Sequence, residues 1–392
     1  MDIELNATTN QSLLLPEHLF IFSHLRWDFV YQRPQHLATR LAEHCKVYYI
    51  EEPVFDATDN IYYRTEYRHN IQVLVPHLLP GFDHDVTING LSQLFSNLIE
   101  TIDLQNTAFW YYTPMALEFS DRYEPGICIY DCMDELSAFK FAPPSMQLLE
   151  RNLLNKADLV FTGGKALYHA KKDSHHNIHA FPSSIDKAHF SKARHVSAGS
   201  PDQNAGKKIK LGFYGVIDER FDIELIRDMA DARPEWDFIL IGPIVKIDQE
   251  TLPRMANIHY LGSKTYDQLP ECMADWDIAL IPFLLNESTR FISPTKTPEY
   301  LAAGLPVIST PIADVVDPYG VNNLVGIGSS AKDFIRLAEM VLQNTHMEEE
   351  RLEKVDLFLA NNSWDLTFEG MREEILKVIK QNHTTLTATQ YV

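Results

Sequence analysis

The sequence predicts an α/β protein in which two doubly wound parallel-sheet domains face each other across a cleft. Three observations carry this. At 392 residues the chain is too long for one ordinary hydrophobic core. Short apolar runs rich in Val, Ile, Phe and Tyr alternate with helical patterns along its length, as in parallel sheets covered on both faces. The stretch 191–208 interrupts that rhythm with Gly, Ser, Pro, Asn and Lys and holds no apolar run, which is a linker composition.

In the first half, strands are expected at 19–24, 46–51, 71–76, 108–113, 127–131, 159–162 and 179–182, with helices at 34–44, 144–156 and 165–174. The second half restarts with strands at 209–214, 237–241, 258–261, 278–282, 307–309 and 324–327. Residues 1–195 then make a first domain, 196–207 a linker and 208–364 a second domain. A closing helix at 365–381 leads into a Thr-rich, frayed tail ending at 392.

Composition excludes several classes. Thirty-four Lys and Arg against 54 Asp and Glu give a net charge of −20, which repels nucleic acid and anionic lipid. No apolar stretch reaches the roughly 18 residues that span a bilayer. Met1 to Gln11 lacks the basic start of a signal peptide. Cys45, Cys128, Cys132 and Cys272 match neither a disulfide framework nor a zinc site, so buried thiols in a reducing, cytoplasmic compartment are expected.

Ligands of such sheets bind beyond the carboxyl ends of the strands, where helix N-termini present free N–H groups and a positive dipole end. The segment 278–311 is the most informative. A strand gives way to a polar loop, then a helix starts near Pro294 or Pro298 and stops at Gly304 before Pro306. Glu299 on its first turns could accept from ribose hydroxyls or merely complement the helix dipole; Lys296 could meet a phosphate or be solvated. Spacing leaves both open. Gly215, where strand becomes loop, either lets backbone approach a diphosphate or makes a tight turn.

Other motifs are weaker. Gly163-Gly164-Lys165 lacks the preceding Gly and following Ser or Thr of a phosphate-binding Walker loop. Asp275-Trp276-Asp277 begins a strand rather than ending one, so a cap is expected there and not a metal site. His175, His176 and His179 have no carboxylate or Cys partners nearby. No metal and no cofactor are expected.

The segments SPTKTPEYLAAGLPVISTP, ADLVFTGGKALYHAKK, FPSSIDKAHF and LGFYGVIDERFDIELI resemble the retaining glycosyltransferase family 4 of the GT-B fold, with its two Rossmann-like domains. The opening HLRWDFVYQRPQHLATRLA resembles a bacterial branch used in polysaccharide and cell-envelope assembly. The resemblance is colinear from about residue 18 to about 380. It implies that Glu299 holds the nucleotide ribose as the second Glu of the family's paired-Glu signature. The first falls at Phe291, with Glu287 nearby but out of register. Of the family's basic pair, Val216 occupies the first slot and Arg220 suits the second, and the resemblance implies that Lys296 and Arg290 compensate.

By the same resemblance, Gly215, Val216, Ser263, Lys264, Arg290, Ser293, Pro294, Thr295 and Glu299 face the donor. Arg220 and Lys296 carry the chemistry with Asp134, which lies in a neighbourhood where the family often has a His that contacts the donor sugar. His24, Arg26, Trp27, Arg33 and Asp131 line the acceptor side; capping of the next helix is an equal reading of Asp131 and Asp134. The implied reaction moves a sugar, with retention, from a nucleoside-diphosphate sugar, a substrate and not a cofactor. The acceptor is a saccharide or a lipid-linked one, reached at the inner face of the membrane. The rivals are a nucleotide-sugar epimerase and a catalytically impaired sugar-nucleotide-binding protein.

Overall fold

A computed structural model of the protein describes residues 15–196 and 208–389. The first sheet holds β1 (His18–Phe22), β2 (Lys46–Ile50), β3 (Val54–Phe55), β4 (Tyr62–Arg68), β5 (Ile71–Leu78), β6 (Thr107–Tyr111), β7 (Ile127–Cys132), β8 (Leu159–Thr162) and β9 (Ile178–Ala180). Its order is β3-β5-β2-β1-β6-β7-β8-β9, and β4 pairs antiparallel with β5 while the other pairings are parallel. The second sheet holds β10 (Lys210–Tyr214), β11 (Asp237–Ile241), β12 (Ile258–Tyr260), β13 (Ile278–Ile281), β14 (Val307–Ser309) and β15 (Val325–Ile327). It is wholly parallel, in the order β12-β11-β10-β13-β14-β15.

Every strand expected from the apolar runs forms. Alternation explains why both faces of the first sheet are covered: Leu19, Ile21, Tyr49 and Trp110 join one buried cluster, and Phe20, Phe22, Ile50 and Tyr111 join the other. The additions are β3 and β4. The run YYRTEYR of β4 lies at the sheet margin and is largely exposed, so it carries no continuous apolar signal.

One expectation about the termini changes. The closing helix runs Trp364–Thr389, past the expected end at 381, because propagation adds one hydrogen bond per residue once a helix is nucleated. Its Trp364, Phe368, Met371 and Ile375 pack into the first domain's core, so the chain returns there after completing the second domain. The linker expected at 196–207 lies outside the described residues beyond Val196, at the end of helix Ala193–Val196. Met1 to Gln11 and the last residues of the expected tail also lie outside them. Among the described residues no helix is long and apolar enough to cross a membrane.

The fold fixes where a ligand can sit. From β10 the second sheet grows first toward β11 and later toward β13, so a crevice opens at the carboxyl ends of β10 and β13. The carboxyl ends of β1 and β7 supply the opposite wall.

Candidate active site

Strand β10 ends at Tyr214, and Gly215 follows with φ +138°, a conformation that a side chain rarely adopts. The missing Cβ leaves room for Lys296, whose Nζ lies 2.8 Å from where that carbon would stand. The ammonium sits over the rings of Phe213 and Phe283, 5.7 and 5.8 Å from their centroids. Burial pushes the Lys296 pKa down, against the pull of Glu299. The N–H of Gly215 donates to Ile241 O at 2.8 Å, so what this glycine contributes here is space.

Lys296 opens the helix Lys296–Ala302, with Thr295 as N-cap. The helix closes through Leu305 N–H to Tyr300 O (3.0 Å) and Gly304 N–H to Leu301 O (2.9 Å), the 6→1 and 5→2 pair of a Schellman end. Glu299 is therefore on the first turn, buried, and accepts a short hydrogen bond from the Tyr214 hydroxyl. Tyr300, one residue on, accepts the Tyr214 N–H at 2.9 Å, so helix and strand end are tied twice. Burial drives the Glu299 carboxyl up, opposed by Tyr214 and Lys296.

Arg220 lies in the turn after β10. Its Nε donates to both oxygens of buried Asp218 (3.0 and 3.1 Å) and its Nη2 to Oδ2 at 2.6 Å. Its guanidinium stands 5.2 Å from the ring centroid of Phe139, which belongs to the first domain. Asp134, just after β7, completes the cross-domain group. Burial pushes it up to about 6, with Arg220 and Lys296 pulling down and Asp218 pushing up. The structure thus gathers Gly215, Arg220, Lys296, Glu299 and Asp134. It adds Asp218, Tyr214 and Phe139, which no motif had singled out.

The acceptor-side expectations need correction. Arg33 and Asp131 are fully buried against each other, with Nε 3.1 and 3.0 Å from the two carboxylate oxygens, and Arg33 Nη1 donates to Phe181 O at 2.6 Å. They brace the carboxyl end of β7 and have no exposed atom for an acceptor. Arg26 pairs with Glu51 at 2.9 Å and donates to Glu52 O at 2.6 Å, while Trp27 packs edge-on against Tyr49. Both hold their own loop. His24 fits better: burial holds its imidazole down to about 4, so it is neutral, and its Nδ1 is enclosed without a partner.

The remaining donor-side residues divide. Val216 is half-buried on the turn beside Gly215, and Ser263 and Lys264 are exposed after β12. Pro294 accepts the Thr297 N–H at 3.1 Å at the helix entrance. Arg290 contacts its own loop, 3.7 Å from Glu287 and over the ring of Phe291. It lines an open cavity of about 420 Å³ with Asn286, Thr289 and Ile312. Phe291 packs on the first domain's apolar cluster. Ser293 lies at a domain contact, where Asp314 Oδ1 accepts the Ala166 N–H at 2.9 Å.

The Asp275-Trp276-Asp277 triplet behaves as a cap: Asp277 accepts the Lys210 N–H at 2.7 Å and Asp275 pairs with the Lys210 side chain, at the amino end of the sheet. Among the described residues no three His, Cys, Asp or Glu side chains are grouped as metal ligands.

Residues 208–344 match the family model described as "Glycosyl transferases group 1". The chain is a GT-B glycosyltransferase. The transferase is 25% identical over 299 residues to a Bacillus subtilis (strain 168) protein, provisionally named as the teichuronic acid biosynthesis glycosyltransferase TuaH, covering 70% of this chain and 69% of the relative. Among solved structures it superposes on sucrose-phosphate synthase from Thermosynechococcus elongatus with a TM-score of 0.67 at 11% identity, over 95% of this chain and 100% of that one. Anabaena Alr3699/HepE in complex with UDP and glucose gives a TM-score of 0.59 at 14% identity, over 95% and 99%. The matched family region of the transferase contains Gly215, Arg220, Lys296 and Glu299 together, and not the first domain's half of the cleft.

Proposed function

We propose that this enzyme transfers a glycosyl group from a nucleoside-diphosphate sugar, with UDP as the first nucleotide to test, to a saccharide or lipid-linked acceptor with retention, as in family 4. The observation that carries the proposal is Lys296 lying over Gly215 beside Arg220 at the carboxyl end of the second sheet. That crevice is where a parallel sheet receives a diphosphate. Glu299 on the same helix suits the ribose, and UDP in the Anabaena neighbour favours that nucleotide. The teichuronic acid assignment of the Bacillus relative favours a cell-envelope polymer at the inner face of the membrane.

In the proposed reaction the bond between sugar C1 and the β-phosphate oxygen breaks, and its electron pair leaves with the nucleoside diphosphate. The acceptor hydroxyl oxygen bonds C1 on the same face. Its proton passes to the departing phosphate oxygen, so no side-chain base is required. Arg220 and Lys296 stabilise the charge growing on the leaving group, fixed in place beforehand by Asp218 and by the gap at Gly215. Chelation by EDTA is then expected to leave the rate unchanged.

A thermal-shift series with UDP, GDP, ADP and their glucose conjugates tests the reading, since a ligand bound only by the native state raises the melting point. One nucleotide should stabilise the wild type and fail to stabilise Glu299→Ala. Equal shifts in both proteins would refute the assignment.

A further inference from the structure

We propose that His24, Glu219 and Lys246 form a subsite spanning the cleft that takes hydroxyl groups of the acceptor saccharide. The inference rests on the transferase reading of the adjacent diphosphate site and names residues on its far side.

Lys246 is delivered by backbone pairing between two loops. Ile217 and Ile244 form a parallel bridge beyond the ends of β10 and β11, with Ile217 N–H to Pro243 O at 2.9 Å and Val245 N–H to Ile217 O at 3.1 Å. The chain then places Lys246 at φ +61°, uncommon for a residue with a side chain. This brings its Nζ to 3.9 Å from Glu219 Oε1 and to 5.4 Å from the ring centroid of Phe139, across the cleft. The same Phe139 ring carries Arg220, so Lys246 lies next to the reaction centre.

Two groups around this lysine are unsatisfied. Glu219 Oε2 and His24 Nδ1 are both enclosed and lack any hydrogen-bond partner. An enclosed polar atom left unpaired costs about 1–3 kcal/mol, which is tolerable where a ligand completes it. His24 and Glu52, both of the first domain, feel the charge of Lys246.

The ligand class follows from the lining. A simple anion does not suit, because Glu219 and Glu52 already oppose the ammonium. A polyol does: one hydroxyl donates to Glu219 Oε2 and accepts from Lys246, and another meets the neutral imidazole of His24. The Phe139 ring, with Arg220 and Lys246 both over it, keeps the ammonium beside the reaction centre. The subsite takes residues from both domains, which meet at Phe139.

The test uses the full chain with UDP, and with D-glucose and N-acetyl-D-glucosamine as probes. UDP affinity is measured by calorimetry, and sugar binding by saturation-transfer NMR titration at saturating UDP. In Glu219→Gln and Lys246→Met the sugar dissociation constant should rise about tenfold, as for loss of one charge-assisted hydrogen bond. UDP affinity should stay within about threefold. Sugar binding unchanged in both variants, or no sugar signal from a wild type that binds UDP, overturns the subsite alone. A wild type that binds no nucleoside diphosphate overturns the donor reading, and the subsite with it.

Discussion

Lys296 occupies the space that a side chain on residue 215 would need, its Nζ 2.8 Å from the position of the absent Cβ. The lysine therefore reaches the crevice at the end of β10 only because residue 215 is glycine. Gly215→Ala should displace Lys296 and strain a backbone held at φ +138°, at a cost of about 1–3 kcal/mol in stability. Transfer should fall by about 10²-fold or more, as for loss of one fixed cation. Denaturant titration and steady-state rates measure the two effects, and wild-type values for both would contradict the packing argument.

Arg220→Ala should slow transfer by on the order of 10²–10³. Arg220→Lys should recover little, because a point charge cannot reproduce the forked contact with Asp218. The check is kcat with saturating donor; full activity in the lysine variant would show that the fork is dispensable.

Replacing Phe291 by the carboxylate of the family 4 pattern that the sequence resembles should not improve the enzyme. Phe291 packs on the first domain's apolar cluster, so Phe291→Glu places a charge against that surface. A lower melting temperature and no gain in kcat/KM are expected. A faster Phe291→Glu enzyme would instead mean that the site lacks a working group there.

Stability should fall on acidification through His36. This imidazole is buried and stacked on Trp364, 4.5 Å between centroids, and burial and Arg40 hold it down to about 3. The folded state thus binds its proton more weakly than the unfolded chain, which titrates near 6.5. Stability is complete above that value and is lost as pH falls toward 3. His24, held down to about 4, acts in the same direction. Urea titrations at pH 7, 6 and 5 should show a shallower loss for His36→Phe; parallel curves would remove His36 as a cause.

The sequence disclosed the strands more fully than the site. Buried parallel strands are continuous apolar runs, so the strands flanking the crevice are legible at once, whereas β4 lies largely exposed at a margin and is not. Gly215, Lys296 and Glu299 were accessible because strand, loop and helix punctuation place them locally. Phe139 and Lys246 were not, since each gains meaning only from a neighbour in the other domain. Arg33 and Asp131 show the converse error: charged residues at strand and helix ends suggest a ligand, yet they neutralise each other in the interior. Nothing in their spacing distinguishes a brace from a binding group.

Because Trp364–Thr389 docks on the domain where the chain began, two separate covalent strands connect the lobes instead of one. With both connections intact, Asp134 and Phe139 of the first domain are held opposite Arg220 of the second. Severing the later connection, just before Trp364, should loosen that alignment even if both sheets stay folded.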